Sequence, residues 1–334
     1  MRVVPIAIDR TVTLDIHGST QRIRMCAERA GLPPLLIVQA GPGFPLLNEV
    51  SKFQQRLNLE RHFLVSYWEQ RGCGAAAKQD AASVSLPQHV DDLGAVLQWP
   101  HKQTGQTVIV FGISLGGTVG LQAVEAQSDH AKAVVAISPD SHTAGSDAAV
   151  CAFLEEQSVR AGSGRLSRRV TKLGKPPYVD TATFQRRARL LADLNTIERG
   201  KTSSALLREA LFSLVGTYGV VGAVRALRNL NLIQRRLLPE LVALDLFANP
   251  PHVTIPVHYV FGGQDALNPA SIVSLLPTTI GAPGSTVTVL PDAGHMAHFD
   301  QPEVVRSIAV RAINGADSDL VSAITTHRPL RLAR

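Results

Sequence analysis

Cysteine is scarce in this 334-residue chain: Cys26, Cys73 and Cys151 are all there is. An odd number at wide separations fits neither a disulfide framework nor a set of metal ligands, so no metal is expected, and the pattern suits a reducing compartment. Aromatic residues make up only 5%. The densest basic run, Arg160 to Lys175, has no aromatic interleaving of the kind that stacks bases. The net charge of +6 is therefore read as a solvated basic face, and no nucleic-acid partner is expected. No apolar run approaches the length of a membrane span. The N-terminal stretch alternates, carries Asp9 and Asp15, and lacks the apolar block and cleavage site of a signal peptide. The expectation is a soluble cytoplasmic protein with no membrane partner. Neither an internal repeat nor a low-complexity segment is found.

Hydrophobic residues are nonetheless plentiful, at 45% against 18% charged. That suits a real core, in one large domain or a domain carrying an insertion. The alternation at Val3 to Asp15 and Gln21 to Ala27 predicts a hairpin. The short apolar run Leu35 to Val38 predicts a strand buried on both faces, Ala133 to Ile137 another buried strand, and His62 to Trp68 and Thr107 to Phe111 further strands. Helical stretches at Asn48 to Leu59 and Leu86 to Trp99 separate them. Alternation at this spacing indicates βαβ units and a mainly parallel sheet. Right-handed crossovers then place the strand C-termini on one rim, where such sheets carry their chemistry.

After Asp140 the pattern changes. Helices are predicted at Ala148 to Arg160, Thr183 to Leu194, Ser203 to Leu214, Val220 to Asn229 and Leu237 to Phe247. Strand character resumes at Ile255 to Phe261 and Ser285 to Leu290, and a last helix covers Pro302 to Ile313. The division read from this is a core over residues 1–141 and 251–314, a helical cap over 142–250, and a basic tail over 315–334.

The chain is organised around Thr107 to Thr118, TVIVFGISLGGT. A serine at the apex of a tight strand-to-helix turn sits in strained backbone, and its neighbours two residues either side must be small. Gly112 and Gly116 meet that need around Ser114. Serine alone is a poor nucleophile; it needs a base in hydrogen-bond reach and an acid to orient that base. Asp265 and His295 fall at the ends of two later predicted strands, giving the order Ser, Asp, His expected on this sheet architecture. Asp140 is the second candidate for the acid, and His298 is read as structural. Two N–H donors are needed for a developing oxyanion. Leu115 supplies one, and Ala40 or Gly41, in the turn after the Leu35 to Val38 strand, the other.

These residues resemble the α/β-hydrolase family, and within it the proline iminopeptidase-like branch. Gln39-Ala40-Gly41-Pro42-Gly43 resembles that branch's H-G-G-P-G. Trp68-Glu69-Gln70-Arg71-Gly72-Cys73-Gly74 is similar to its D-Q-R-G-x-G, Gly112 to Gly116 match the nucleophile elbow, and Gly294-His295 with Glu303 resembles the histidine segment. The likeness runs from about Pro5 to Ile313 and is weaker in the cap, where Lys175-Pro176-Pro177-Tyr178 is similar to relatives' caps. It implies an α/β-hydrolase fold with an inserted helical cap, and a serine hydrolase without a cofactor. The implied substrate is a short peptide or small molecule whose free amino group is held by cap carboxylates, here Glu155 and Glu156. Gln39, Ala40 and Leu115 depart from the branch's pattern and point away from strict N-terminal-proline specificity. The alternatives are an esterase or amidase on a small metabolite, and a receptor-like binding protein. A carboxylate-nucleophile epoxide or haloalkane hydrolase is disfavoured by Ser114.

Overall fold

In the computed structural model, which describes residues 7–74, 76 and 78–314, one eight-stranded sheet runs through the molecule. The strands are β1 (Ile8–Ile16), β2 (Ser19–Ala27), β3 (Pro34–Val38), β4 (Leu64–Glu69), β5 (Val108–Ile113), β6 (Ala131–Ile137), β7 (Val257–Gly262) and β8 (Thr286–Leu290). The helices are α1 (Val50–Arg56), α2 (Lys78–Ala82), α3 (Leu86–Thr104), α4 (Leu115–Ala126), α5 (Thr143–Ala161), α6 (Gly164–Leu173), α7 (Thr181–Asp193), α8 (Ser203–Val242), α9 (Ala270–Ile280), α10 (Ala297–Asp300) and α11 (Pro302–Asn314).

Their order across the sheet is β1-β2-β4-β3-β5-β6-β7-β8. The β1–β2 and β2–β4 pairs are antiparallel, and every later pair is parallel. This is the mainly parallel sheet expected, with the predicted hairpin on its edge. Strands β3 and β5 have every residue buried, as continuous apolar runs require. One face of the sheet packs Leu36, Val38, Val110 and Val134 against α3 and α4; the other packs Leu35, Ile37, Ile109 and Phe111 against α1 and α11. Each such side chain contributes about 1.5–3 kcal/mol on burial.

Among the described residues the chain between β6 and β7 forms helices and no strand. Here the structure corrects the expected boundaries. Helix α6 falls where only the basic run was noted, because Ser163 caps its Leu166 N–H after the Gly162 break. Of the three helices expected between Ser203 and Phe247, the first two are separated, by a non-helical Gly219 at φ 66° and ψ 175°, whereas the second and third run on as one helix that ends at Val242; the whole span is labelled α8. By length and composition alone, the Ser203–Val242 span is apolar enough to cross a membrane, contrary to the expectation of no such segment. Beyond Gly219 its Ile233, Leu237 and Leu241 join the sheet's main core. The tail over 315–334, to which no role was given, lies outside the described residues.

Candidate functional site

The turn between β5 and α4 has the strain its sequence predicts. Ser114 sits at φ 52° and ψ −125°, a conformation rare for any residue with a side chain. The two flanking glycines are mechanically required. A Cβ on Gly112 would lie 2.5 Å from the Gly116 carbonyl oxygen, and one on Gly116 would lie 2.2 Å from that of Val38. Those obstacles are backbone and cannot step aside. Gly116→Ala is therefore expected to destabilise the fold by about 1–3 kcal/mol or more, read as a lower midpoint in urea denaturation. An unchanged midpoint would show that β3 and α4 do not pack this closely.

The residues after β5, β7 and β8 converge. His295 Nε2 is 2.9 Å from Ser114 Oγ, and His295 Nδ1 is 2.8 Å from Asp265 Oδ2. All three are buried, at 5%, 4% and 6% exposure for Ser114, His295 and Asp265. A carboxylate only accepts, so Nδ1 carries the hydrogen and Nε2 is free to accept the serine proton. Asp265 is itself fixed: its Oδ1 accepts from the Leu267 N–H at 2.9 Å and its Oδ2 from Asn268 Nδ2 at 2.8 Å. Burial alone would depress the His295 pKa, but the charge and hydrogen bond of Asp265, with the charge of Asp140 nearby, outweigh it and raise it. His298 is buried and stacked on Phe53, with ring centroids 5.5 Å apart, and belongs to the core.

The N–H groups expected to face an oxyanion lie at the same turn. Leu115 is the first residue of α4, so its N–H has no acceptor a turn back. The Ala40–Gly41 turn lies against it: a Cβ on Gly41 would meet Leu115 Cδ2 at 2.8 Å. Gln39 turns its amide to the Pro45 carbonyl at 3.2 Å, stiffening the loop. Glu69, buried at the end of β4, accepts from the Leu46 N–H at 2.9 Å and from the Tyr218 hydroxyl of α8. Burial raises its pKa in spite of these donors. Arg71 is structural: its Nε donates to Asp92 Oδ2 at 2.7 Å inside a network with Gln21 and Trp68.

Glu155 and Glu156 are not brought to this group. Both are exposed on α5; Glu156 pairs with Arg160, and Glu155 lines a cleft of about 390 Å³ between α5 and α6. What does approach is less visible in the sequence. Asp140, just past β6, is held by its carbonyl accepting from Thr118, and its Oδ2 is 3.4 Å from Ser114 Oγ. From α7, buried Arg187 pairs with Asp147 of α5 and exerts its charge on both Asp140 and His295. Burial pulls the Arg187 pKa down to about 10, against the attraction of Asp140. The Thr196 carbonyl accepts the His295 N–H at 2.7 Å. Nothing in the run Gln185-Arg186-Arg187 distinguishes the inward arginine from its neighbour. Asp140 was legible through its position after a predicted strand. Among the described residues no group of three or more His, Cys, Asp and Glu side chains is placed to hold a metal ion.

A parallel sheet with a strained serine, an imidazole and a carboxylate gathered on its C-terminal rim defines the α/β-hydrolase architecture. The chain belongs to the Alpha/beta hydrolase family, which it matches over residues 36–308. It is 24% identical, over 87% of its own length and 92% of the relative's, to the probable aminopeptidase YbaC of Bacillus subtilis. The proline iminopeptidase of Mycobacterium smegmatis superposes with a TM-score of 0.63 at 18% identity, covering 91% of this chain and 98% of that one. An N-formylmaleamic acid deformylase of Pseudomonas putida superposes at 0.56 and 19% identity, with 92% and 100% covered. At these identities the two superpositions speak for the fold alone.

Proposed function

We propose that the protein is a serine hydrolase working through an acyl-enzyme, with aminopeptidase-like activity on short peptides or aminoacyl amides. The single observation that carries the reading is the unbroken relay from Ser114 Oγ through His295 to Asp265, at 2.9 and 2.8 Å. In it, Oγ attacks the acyl carbonyl carbon while its proton passes to Nε2. The carbonyl electron pair becomes an oxyanion facing the N–H groups of Leu115 and of Ala40 or Gly41. Collapse breaks the bond to the leaving group, which takes the Nε2 proton. Water, deprotonated by His295, then attacks the acyl carbon, and the proton returns to Oγ as the acid leaves. Asp265 keeps the imidazole in the required tautomer and stabilises its charged form. Residues 142–250 act as the cap over this rim.

The aminopeptidase part rests on the motif likeness and on the relative's name. A second reading, an esterase or amidase acting on substrates without a free amine, draws on the exposure of Glu155 and Glu156. A panel of free and N-acetylated aminoacyl amides beside simple esters separates the two: selective turnover of the free amines supports the first, and equal rates the second. A fluorophosphonate probe tests the common premise; covalent labelling at Ser114 is expected, and its absence would favour a binding protein.

The base must be neutral to act, so kcat/KM is expected to rise with pH along an acid limb. Because the His295 pKa is raised in the folded protein, the midpoint should lie above the ordinary imidazole value of 6.5. A midpoint below that value would mean that burial, not Asp265, governs the ring.

A further inference from the structure

Asp140 poses a problem for any acyl transfer at Ser114. A carboxylate 3.4 Å from the attacking oxygen lies close to the acyl carbon, whose carbonyl oxygen takes up negative charge in the reaction. Left ionised and unpaired, it opposes the oxyanion. Among the described residues Ser114 is the only side chain hydrogen-bonded to the Asp140 carboxyl group, and no cation sits within ion-pair distance of it. Arg187, whose charge acts on Asp140, is itself paired with Asp147. With Arg187 paired to Asp147, and Asp265 to the imidazole, the Asp140 carboxyl is left without a cation, and its burial raises its pKa.

We infer that Asp140 is a specificity-determining residue that receives the ammonium of a substrate bearing a free amine on the carbon next to the scissile carbonyl. The inference rests on the reading of Ser114 as nucleophile and names the substrate class for that site. Reach supports it. An amine on the adjacent carbon is about 2.5 Å from the carbonyl carbon by bond geometry. That carbon stands about 3–3.5 Å from the attacking oxygen in a reactive pose. The nitrogen thus falls within a few ångströms of Oγ, the shell that Asp140 Oδ2 occupies. An amine one or two carbons further along would overshoot it. Glu155 and Glu156 are exposed on α5, and Glu155 lines the cleft between α5 and α6, whose lining does not include Ser114.

The pairing does more than bind. It cancels the charge that would otherwise oppose the oxyanion, so its benefit should appear in kcat as well as KM. It also frees the serine proton: Asp140 and His295 compete for one hydrogen on Oγ, and an ammonium on Asp140 leaves that hydrogen to Nε2.

The test compares alanyl-p-nitroanilide with its N-acetyl form, and with the β-alanyl isomer, in the wild-type protein and in Asp140→Asn. Wild type should favour the free α-amine over the acetylated form. Asp140→Asn should lower that preference about ten- to a hundredfold, the worth of a charged hydrogen bond. It should do so by slowing the free amine while the acetylated amide holds or gains. The β-alanyl isomer should respond less. A preference unchanged by Asp140→Asn, or two rates falling in parallel, would overturn the assignment and leave Asp140 a structural residue. So would a wild type indifferent to acetylation. Fluorophosphonate labelling of the wild type reports separately on Ser114: a protein that labels but shows no amine preference refutes this inference alone, whereas one that does not label refutes the reading beneath it.

Discussion

Ser114→Ala is expected to leave the fold intact and to lower turnover of a p-nitrophenyl ester by about a thousandfold to a millionfold, the range seen when a nucleophile is removed from such a relay. Only Oγ engages His295 Nε2, so removing it costs no packing beyond one buried atom. Circular dichroism and the thermal midpoint should be close to wild type. A companion variant reads the strain in the turn. At φ 52° and ψ −125°, a side chain costs on the order of 1–3 kcal/mol that glycine does not. Ser114→Gly should therefore unfold at a higher temperature than Ser114→Ala while being equally inactive. Undiminished turnover by either variant would remove Ser114 from the chemistry.

The second large effect concerns which carboxylate orients the base. Asp265→Asn should cut ester turnover by about ten-thousandfold, because an amide at that position presents an N–H where Nδ1 needs an acceptor and favours the wrong tautomer. Its contacts to Leu267 and Asn268 keep the backbone in place, so the loss should not come from unfolding. Asp140→Asn, assayed on the same ester, should cost far less, since Asp140 touches Oγ at 3.4 Å and makes no hydrogen bond to the ring. An ester is the right substrate here because it carries no amine for Asp140 to meet. The opposite ranking would make the residue after β6 the orienting acid.

The sequence made the sheet and the relay readable for the same reason: both depend on local patterns. Continuous β-branched runs mark strands buried on two faces, and Gly112 and Gly116 announce a close approach that no Cβ survives. The order of Ser114, Asp265 and His295 followed from where those runs end. The helices between β6 and β7 were legible as helices but not as an assembly. Their placement depends on amphipathic faces whose partners lie far along the chain. Glu155 and Glu156 show the limit: adjacent charges on one helix can face either way, and the structure turns both outward. Arg187 shows the converse, since only the buried partnership with Asp147 separates it from Arg186 and Arg189. The interruption at Gly219 falls between two of the expected helices, whereas the unbroken helix from there to Val242 was not legible.

Among the described bonds, the carbonyls of Thr196 and Ile197 receive the backbone N–H groups of His295 and Met296, both at 2.7 Å. A Cβ on Gly294 would strike those same carbonyls, so the two loops meet face to face with no spare room. The segment ahead of α8 thus works as a splint on the imidazole. Swapping the helical region for that of a relative would discard the splint along with the helices. A graft that kept residues 194–198 would carry the base's support with it; one cut without regard to them would disturb proton transfer before it ever changed what binds.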